Sequence, residues 1–369
     1  MRKAIVKMGN HRAIIRCGDH CEIRMTSISP VSNGELVVAP EKVSICGTDI
    51  QILRGQRDDP APIVGHEGLS TVIAAGHGAH GFLGDRVIIN PTHPSDPGFL
   101  LGHNVNGLLQ EQVKIPATAV DAGLVSHVSA AIPAARGTLI EPLAVVTYAL
   151  ECLHIERPDC LVVVGDGLIG NLASLIAPRI LGQDVLITMV HRSELGLSWT
   201  SAFNPRVVNG LSLDDVVPHL GGAIALLSAT HRGGTEPLLT ECVRKLGVHF
   251  VAAHLVGGLQ AGSISPLLPG VDLHGVRAAN TGGPWPPTRI LFSSAGRSLA
   301  LTGNRGVTNK RLEASAVLLE DPDFGEQVDH LITHDCDMEN GIEILNQMMS
   351  SGSRVIGGEL VMRLVIAMS

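Results

Sequence analysis

The chain has 369 residues, of which 45% are hydrophobic and 17% are charged. This balance is typical of a compact globular protein, and the length exceeds what a single hydrophobic core usually supports, so we predict two domains. A formal net charge of -8, with no basic stripe along the sequence, argues against a nucleic-acid partner.

Two further classes are disfavoured. No apolar run approaches the roughly 18 uninterrupted residues expected of a membrane span, so we expect no membrane partner. The seven cysteines are odd in number and scattered, which does not resemble a secreted disulfide framework. We therefore expect a cytoplasmic protein.

Two glycine-flanked motifs follow a stretch in which apolar and polar residues alternate as in β-strands, up to about residue 45. The motifs are Cys46-Gly-Thr-Asp and Gly65-His-Glu-Gly, and together they supply a thiolate, an imidazole and a carboxylate. Cysteine and histidine are zinc ligands, and three protein ligands with one open position make a catalytic zinc site. Taken alone, each motif also fits a simpler interpretation, a buried thiol beside a helix cap or a loop His-Glu pair.

A glycine-rich turn stands near the middle of the chain. Cys160-Leu-Val-Val-Val predicts a strand, and the turn that follows, Gly165-Asp-Gly-Leu-Ile-Gly170, opens an apolar helix. Gly165 suits the tight turn, Gly167 lets the backbone approach a pyrophosphate, and Gly170 allows close helix packing. Amides at the start of the helix, at Leu168 and Ile169, would hold the phosphates. This strand–turn–helix context predicts a dinucleotide-binding Rossmann domain.

The next predicted strand ends in His191-Arg192-Ser193, at the place where an NAD enzyme carries an acidic residue. Without a carboxylate there is no repulsion of a 2′-phosphate, with which Arg192 can pair and to which Ser193 can donate a hydrogen bond. We therefore predict NADP as the cofactor, with NAD as the alternative. The competing interpretation is a solvated arginine at a strand end.

Together these motifs resemble the zinc-dependent medium-chain alcohol and polyol dehydrogenases, among them the sorbitol, threonine and archaeal-type glucose dehydrogenases. The resemblance runs through Cys46-Gly-Thr-Asp, Gly65-His-Glu-Gly, Gly84-Asp-Arg-Val, Glu141-Pro-Leu-Ala and the glycine turn. It implies an α/β protein, with a GroES-like β-rich catalytic domain and a Rossmann domain built on a doubly wound parallel sheet. We place the catalytic domain at residues 1–156, with 329–369 returning to it, and the NADP-binding domain at 157–328.

The resemblance also implies roles for residues near the first motifs. Cys46, His66 and Glu67 take zinc-ligand positions, and Glu141 takes that of a fourth, exchangeable ligand. Thr48 matches the hydroxyl that carries the substrate proton outward. For Glu141 the simpler interpretation is a favourable charge at a helix N-terminus.

Further residues are candidates for substrate and cofactor contacts. Glu111 matches a family position that holds a substrate hydroxyl, although an exposed strand carboxylate explains it as well. Asn309 or Asn304 would reach the nicotinamide and the sugar, although a helix N-cap explains Asn309 equally well.

Two departures from the family pattern are visible. The family often has a histidine three positions after Thr48, but this chain has Gln51, which cannot accept and release a proton. Residues 90–106 contain no cysteine, so we predict one catalytic zinc and no structural zinc. We interpret His93, Asp96 and His103 in that stretch as polar loop residues rather than metal ligands. Because the missing lobe commonly serves subunit contacts, the sequence leaves open whether the protein is a homodimer or a homotetramer.

The sequence thus predicts an NAD(P)-dependent alcohol dehydrogenase that uses zinc to interconvert a secondary alcohol and a ketone. Aromatic residues make up only 2% of the chain, which disfavours a flat aromatic pocket and favours a polar substrate such as a sugar, polyol or cyclitol. Two alternatives stay open, a zinc-free NADPH-dependent reductase and a non-catalytic dinucleotide-binding protein.

Overall fold

The computed structural model describes residues 9–294 and 296–369, which form two compact units. The first unit runs up to Glu141 and resumes at Asn309–Ser369, and the second is Pro142–Thr308. The strands are β1 (Asn10–Cys17), β2 (His20–Ser27), β3 (Leu36–Ser44), β4 (Glu67–Ala75), β5 (Arg86–Ile89), β6 (Val113–Ile115), β7 (Val125–His127), β8 (Cys160–Val164), β9 (Leu186–Val190), β10 (Val208–Gly210), β11 (Ile224–Ser228), β12 (Phe250–Leu255), β13 (Ile290–Ser294), β14 (Arg297–Gly303), β15 (His334–Cys336), β16 (Val355–Ile356), β17 (Glu359–Leu360) and β18 (Leu364–Ala367).

Helices connect these strands in both units. They are α1 (Gly47–Leu53), α2 (Ala117–Asp121), α3 (Ala134–Gly137), α4 (Ile140–His154), α5 (Leu168–Leu181), α6 (Glu194–Phe203), α7 (Leu213–Val216), α8 (Thr235–Leu246), α9 (Leu273–Ala278), α10 (Asn309–Glu320), α11 (Pro322–Asp329) and α12 (Met338–Ser351), with short 3-10 turns at His80–Phe82, Val217–His219 and Gly247–His249. No helix of the described residues is both long and apolar enough to cross a bilayer.

The first unit is β-rich. Its main sheet has the order β15-β18-β3-β4-β5-β7, with β6 also paired to β3, and β1 and β2 form a separate hairpin. Pro40 lies within β3 at a break in register against β4, which is where a sheet tolerates a residue without an N–H. The late strand β18 pairs with β3 through Val365 and Ser44, so the two parts of this unit share one sheet.

The second unit is a doubly wound sheet with the order β10-β9-β8-β11-β12-β14, followed by β13 at one edge. The first six strands pair in parallel and β13 is antiparallel to β14. The apolar run predicted as a strand forms β8, an inner strand of this sheet, and it is almost wholly buried, as expected for a strand covered on both faces. The order is that of a Rossmann sheet, so the predicted fold class is confirmed.

The limits of the two units differ from the boundaries drawn after residues 156 and 328. Helix α4 continues into the second unit, where the Tyr148 hydroxyl donates to the Pro284 carbonyl at 3.0 Å. Helices α10 and α11 contact the rest of the first unit. Glu313 on α10 accepts a hydrogen bond from Ser126, and Asp329 on α11 accepts one from Arg136. By their contacts, α10 and α11 belong to the first unit. The predicted domain boundaries at residues 156 and 328 stay a prediction about independently folding domains.

Candidate active site and dinucleotide site

Cys46 is positioned by the turn between β3 and α1. Its sulfur accepts a hydrogen bond from the Thr48 amide at 3.4 Å, and the Asp49 carboxylate accepts one from the Cys46 amide at 2.8 Å. This reciprocal capping box starts helix α1. It also fixes Thr48, whose side chain is half-buried, in the first turn beside the thiol.

His66 and Glu67 are delivered by a glycine turn into β4. Gly65 has φ +93°, a left-handed conformation that favours glycine, and an added Cβ would lie 3.0 Å from the side chains of Leu109 and Val43. The Gly65 amide donates to Asp49 at 3.2 Å, and Asp49 Oδ1 lies 3.4 Å from His66 Nδ1. Asp49 therefore faces one ring nitrogen of His66 and leaves Nε2 for another partner.

Three predicted ligands converge. Cys46, His66 and Glu67 each offer one donor atom, and these atoms lie within 4.8 Å of one another. A thiolate, an imidazole and a carboxylate are a donor set that suits zinc. The buried histidine with a carboxylate behind it is the usual support for such a ligand. The residues present thus fit the metal that the motifs imply.

The charges of this group depend on one another. Burial alone would raise the pKa of the Cys46 thiol, but the hydrogen bond and charge of His66 lower it overall. Burial alone would lower the pKa of His66, but Asp49 and Cys46 raise it well above its ordinary value. Without metal these interactions favour a thiolate beside an imidazolium, and a bound dication would take the place of the proton.

Glu67 has a partner that the sequence reasoning missed. Ser44 Oγ donates to Glu67 Oε2 at 3.0 Å, and the Arg363 guanidinium contacts the same oxygen. Arg363 is only 3% exposed and donates from Nη1 to the Ile45 carbonyl at 2.9 Å. Burial lowers the pKa of Arg363 to about 10. The only sequence signal was a single charged residue inside an apolar run before β18.

Glu141 lies near this group but outside it. It is buried in the first turn of α4. Burial raises the pKa of its carboxyl, which His66 lowers and Asp49 raises further. The set of three converging donors does not include Glu141. Its role as an exchangeable ligand stays a prediction.

Glu111 has a different environment from the one predicted. Its carboxylate accepts hydrogen bonds from the Arg12 amide at 2.8 Å and from Arg12 Nε at 2.7 Å, and Arg12 also pairs with Glu339. These bonds lower the pKa of Glu111 against the effect of its partial burial. A substrate contact for Glu111 stays a prediction that would require this ion pair to open or to share its carboxylate.

The glycine turn of the second unit has the geometry of a dinucleotide site. Gly165 has φ +114°, and an added Cβ would clash with the Ala229 carbonyl. A Cβ on Gly170 would clash in turn with the Gly165 carbonyl. Gly167 caps α5, so the amides of Leu168 and Ile169 begin the helix. Amides at a helix start beside the carboxyl end of a strand suit an anion, and phosphate binding by Leu168 and Ile169 stays a prediction.

The end of β9 holds the residues on which the NADP prediction rests. His191 is buried and its Nε2 lies 2.7 Å from Asn209 Oδ1, while Ser193 Oγ accepts from the Gly196 amide as the N-cap of α6. The Arg192 side chain is exposed. Of the three residues, Arg192 alone presents its charged group to solvent.

An acidic group does reach this strand end, from a residue of the glycine turn to which the sequence analysis gave no role here. Asp166, between the first two glycines, is 4% exposed. Its Oδ2 accepts from the Arg192 amide at 3.4 Å and lies 3.7 Å from His191 Nδ1. Its position between the glycines was the available signal.

The two asparagines lie in different units and are both engaged. Asn304 is buried in the second unit, accepts from His254 at 3.1 Å and donates to the Gly306 carbonyl at 2.8 Å. Asn309 belongs to the first unit, where it donates to Ser126 and accepts from Asn90, both at 2.8 Å. Contacts of either residue with a cofactor or substrate stay predictions.

The fold and the glycine turn define a medium-chain dehydrogenase architecture, a GroES-like unit with a Rossmann unit. Residues 32–122 match the family described as "Alcohol dehydrogenase GroES-like domain". The resemblance to zinc-type alcohol and polyol dehydrogenases is thereby confirmed.

Individual relatives agree with this assignment. A sorbitol dehydrogenase from Bombyx mori is 24% identical over 202 residues, which are 50% of this chain and 58% of that protein. A glucose 1-dehydrogenase from Thermoproteus tenax is 29% identical over 273 residues, 63% of this chain and 76% of that protein. The chain spans about half the length of other curated relatives that it matches, 51% and 49% in two cases.

The fold is also that of solved structures. An alcohol dehydrogenase from Thermotoga maritima superposes with a TM-score of 0.71 at 15% identity, over 98% of this chain and 100% of that one. At this identity the likeness shows the fold alone.

Proposed function

We propose that the protein is a zinc-dependent oxidoreductase that interconverts a secondary alcohol and a ketone with a nicotinamide cofactor. The convergence of Cys46, His66 and Glu67 carries the proposal, because a thiol, an imidazole and a carboxylate whose donor atoms lie within 4.8 Å of one another are a set that suits zinc. The glycine turn supplies the second requirement, a place for the pyrophosphate of the hydride acceptor.

Each residue of the first unit has a distinct task in this proposal. Cys46, His66 and Glu67 would hold zinc, which when bound polarises the substrate oxygen as a Lewis acid. Asp49 orients His66 through Nδ1, and Arg363 and Ser44 hold the outer oxygen of Glu67. Thr48, beside the thiol, would accept the hydroxyl proton of the substrate and pass it outward.

We propose NADP(H) as the preferred cofactor. The exposed guanidinium of Arg192 at the end of β9 supports this choice, because it can form charge-assisted bonds to a 2′-phosphate. The Asp166 carboxylate opposes it, but that carboxylate already accepts the Arg192 amide and faces His191. For the substrate we propose a polyhydroxylated compound, a sugar, polyol or cyclitol, because aromatic residues make up only 2% of the chain and a flat aromatic pocket is therefore disfavoured.

We propose a homodimer, or a homotetramer built from it, in the cytoplasm. Strand β13 ends the Rossmann sheet, and Leu291 on it is 61% exposed, so this edge can pair with the same edge of a second copy. The seven cysteines are all unpaired, which suits a reducing compartment.

The test combines metal analysis with turnover. We expect about one zinc per purified chain and reduction of NADP, faster than NAD, in the presence of one or more members of a polyol panel. Turnover without zinc would favour the zinc-free reductase. Dinucleotide binding without turnover of any alcohol or ketone would favour the non-catalytic binding protein.

A further inference from the structure

A histidine outside the donor group lies directly against it. His103, in the loop between β5 and β6, is 6% exposed, and its ring centroid is 5.1 Å from that of His66. The His103 carbonyl accepts the Ala61 amide at 2.8 Å, which fixes its backbone. The backbone of this loop residue is therefore hydrogen-bonded to the segment that precedes the proposed ligand His66.

The orientation of the His103 ring is set by an ion pair. Nδ1 of His103 lies 3.1 Å from Asp59 Oδ1. Arg57 donates two hydrogen bonds to the same carboxylate, from Nε to Oδ2 at 2.8 Å and from Nη2 to Oδ1 at 3.2 Å. Both side chains of the ion pair are largely buried, at 19% and 12% exposure, so the carboxylate is a permanent acceptor for His103.

This arrangement leaves one atom of the imidazole for another partner. With the proton on Nδ1, where the carboxylate accepts it, Nε2 carries a lone pair and can only accept. Among residues 9–294 and 296–369, no hydrogen bond to Nε2 of His103 is present, whereas Nδ1 has Asp59.

We infer that His103 is a substrate-binding residue whose Nε2 accepts a hydrogen bond from a second hydroxyl, neighbouring the one that reacts. Asp59 and Arg57 are positioning residues that hold the ring in the accepting tautomer. The inference rests on the proposed function and narrows its substrate class to alcohols with a neighbouring hydroxyl. A site built to accept a hydrogen bond from a substrate hydroxyl discriminates against an analogue that lacks this hydroxyl.

The experiment compares a vicinal diol with its monohydroxy counterpart, butane-2,3-diol with butan-2-ol. The measured quantity is the ratio of kcat/KM for the two, in wild type and in H103F, which keeps an aromatic ring and removes the acceptor. We expect the ratio to fall about tenfold in H103F, the loss of one hydrogen bond, through KM for the diol. H103Q, which keeps an acceptor near Nε2, should restore part of the ratio, and H77F, at an exposed histidine, should leave it unchanged.

A second readout does not depend on turnover. Diol binding to the zinc-loaded protein with the reduced cofactor, measured by calorimetry, should weaken in H103F by the same factor. The zinc content of the variant must equal that of wild type. If H103F does not fold, D59N decides the test, and we expect in it a smaller fall in the ratio of kcat/KM for the two alcohols. If the kcat/KM ratio and diol binding are both unchanged in a folded, zinc-loaded variant, His103 has only a structural role in its loop and the inference is wrong. Loss of diol binding in H103F when wild type lacks turnover would support the inference while overturning the proposed function.

Discussion

The guanidinium of Arg363 contacts the carboxylate of Glu67, although the two residues lie near opposite ends of the chain. Both side chains are almost fully buried, at 4% and 3% exposure. Glu67 thus divides its two oxygens: Oε2 faces Ser44 and Arg363, and Oε1 lies 3.9 Å from His66 Nε2. The pair places one carboxylate between a structural cation and the proposed metal.

Removing the cation should strongly destabilise the first unit. In R363M the Glu67 carboxylate stays buried without its main counter-charge, and breaking such a pair costs about 3–5 kcal/mol. Urea unfolding of the metal-free protein measures the change. R24M, which breaks an exposed ion pair with Glu22 on the β1–β2 hairpin, is the control and should change little. A loss as small as that of R24M would show that Glu67 is neutral in the metal-free fold.

Removing the thiolate should remove the metal. We expect C46S to lose at least about tenfold in zinc affinity, because a hydroxyl does not ionise to replace the soft thiolate ligand. Zinc per chain after dialysis against a chelator measures this. C336S is the matched control, since burial raises the pKa of the half-buried Cys336 thiol to about 11 and it lies on β15. Equal zinc retention in both variants would rule out the proposed site.

The cofactor choice is decided at the end of β9. We expect R192A to bind NADPH at least about tenfold more weakly, the value of one charge-assisted contact, with little change for NADH. The control is R206A, because among the described residues the Arg206 side chain makes only an exposed hydrogen bond, to the Gln183 carbonyl. Fluorescence titration of the reduced cofactors gives both affinities.

Asp166 provides the opposite test at the same place. D166N removes a negative charge beside the Arg192 amide, so NADPH should bind several-fold more tightly. The same titration measures the change. If D166N instead weakens NADH binding and leaves NADPH unaffected, Asp166 is the acid that holds the adenosine ribose, and the NADP assignment is wrong.

A pH dependence of stability should come from His254. Burial lowers the pKa of this fully buried imidazole to about 4, from an ordinary value of 6.5. Between these values the unfolded chain binds the proton and the folded chain does not, so stability is full above pH 6.5 and falls as the pH drops toward 4. The loss reaches about 3 kcal/mol at the lower limit.

The comparison that isolates this effect is H254Q. Its stability curve should be flatter than that of wild type between pH 6.5 and 4. H249Q, at an exposed histidine that contacts the Gly222 carbonyl, should follow the wild-type curve. Parallel curves for wild type and H254Q would show that His254 takes up its proton in the folded state.

Local motifs carried most of what could be predicted. The Cys46 and His66 turns and the glycine turn depend on neighbouring residues, and capping and positive φ leave signatures in the sequence. Arg363 could not be predicted, because its partner Glu67 is brought near only by the pairing of β18 with β3. The contact of Asp166 with the end of β9 was not predicted for a related reason. Its carboxylate accepts a hydrogen bond from a residue that follows the adjacent strand rather than from its own turn.

The chain returns to its first sheet after the Rossmann unit, and this fixes the order in which the two units are completed during synthesis. Strand β18 pairs with β3 through Val365 and Ser44, and Pro142–Thr308 is made in between. On the ribosome the Rossmann unit therefore has all of its residues before the first unit does. Until then the part of β3 that pairs with β18, residues 42–44, is an open edge, and the Glu67 carboxylate has no guanidinium. A chaperone that shields an exposed strand edge would have its period of greatest use during this interval.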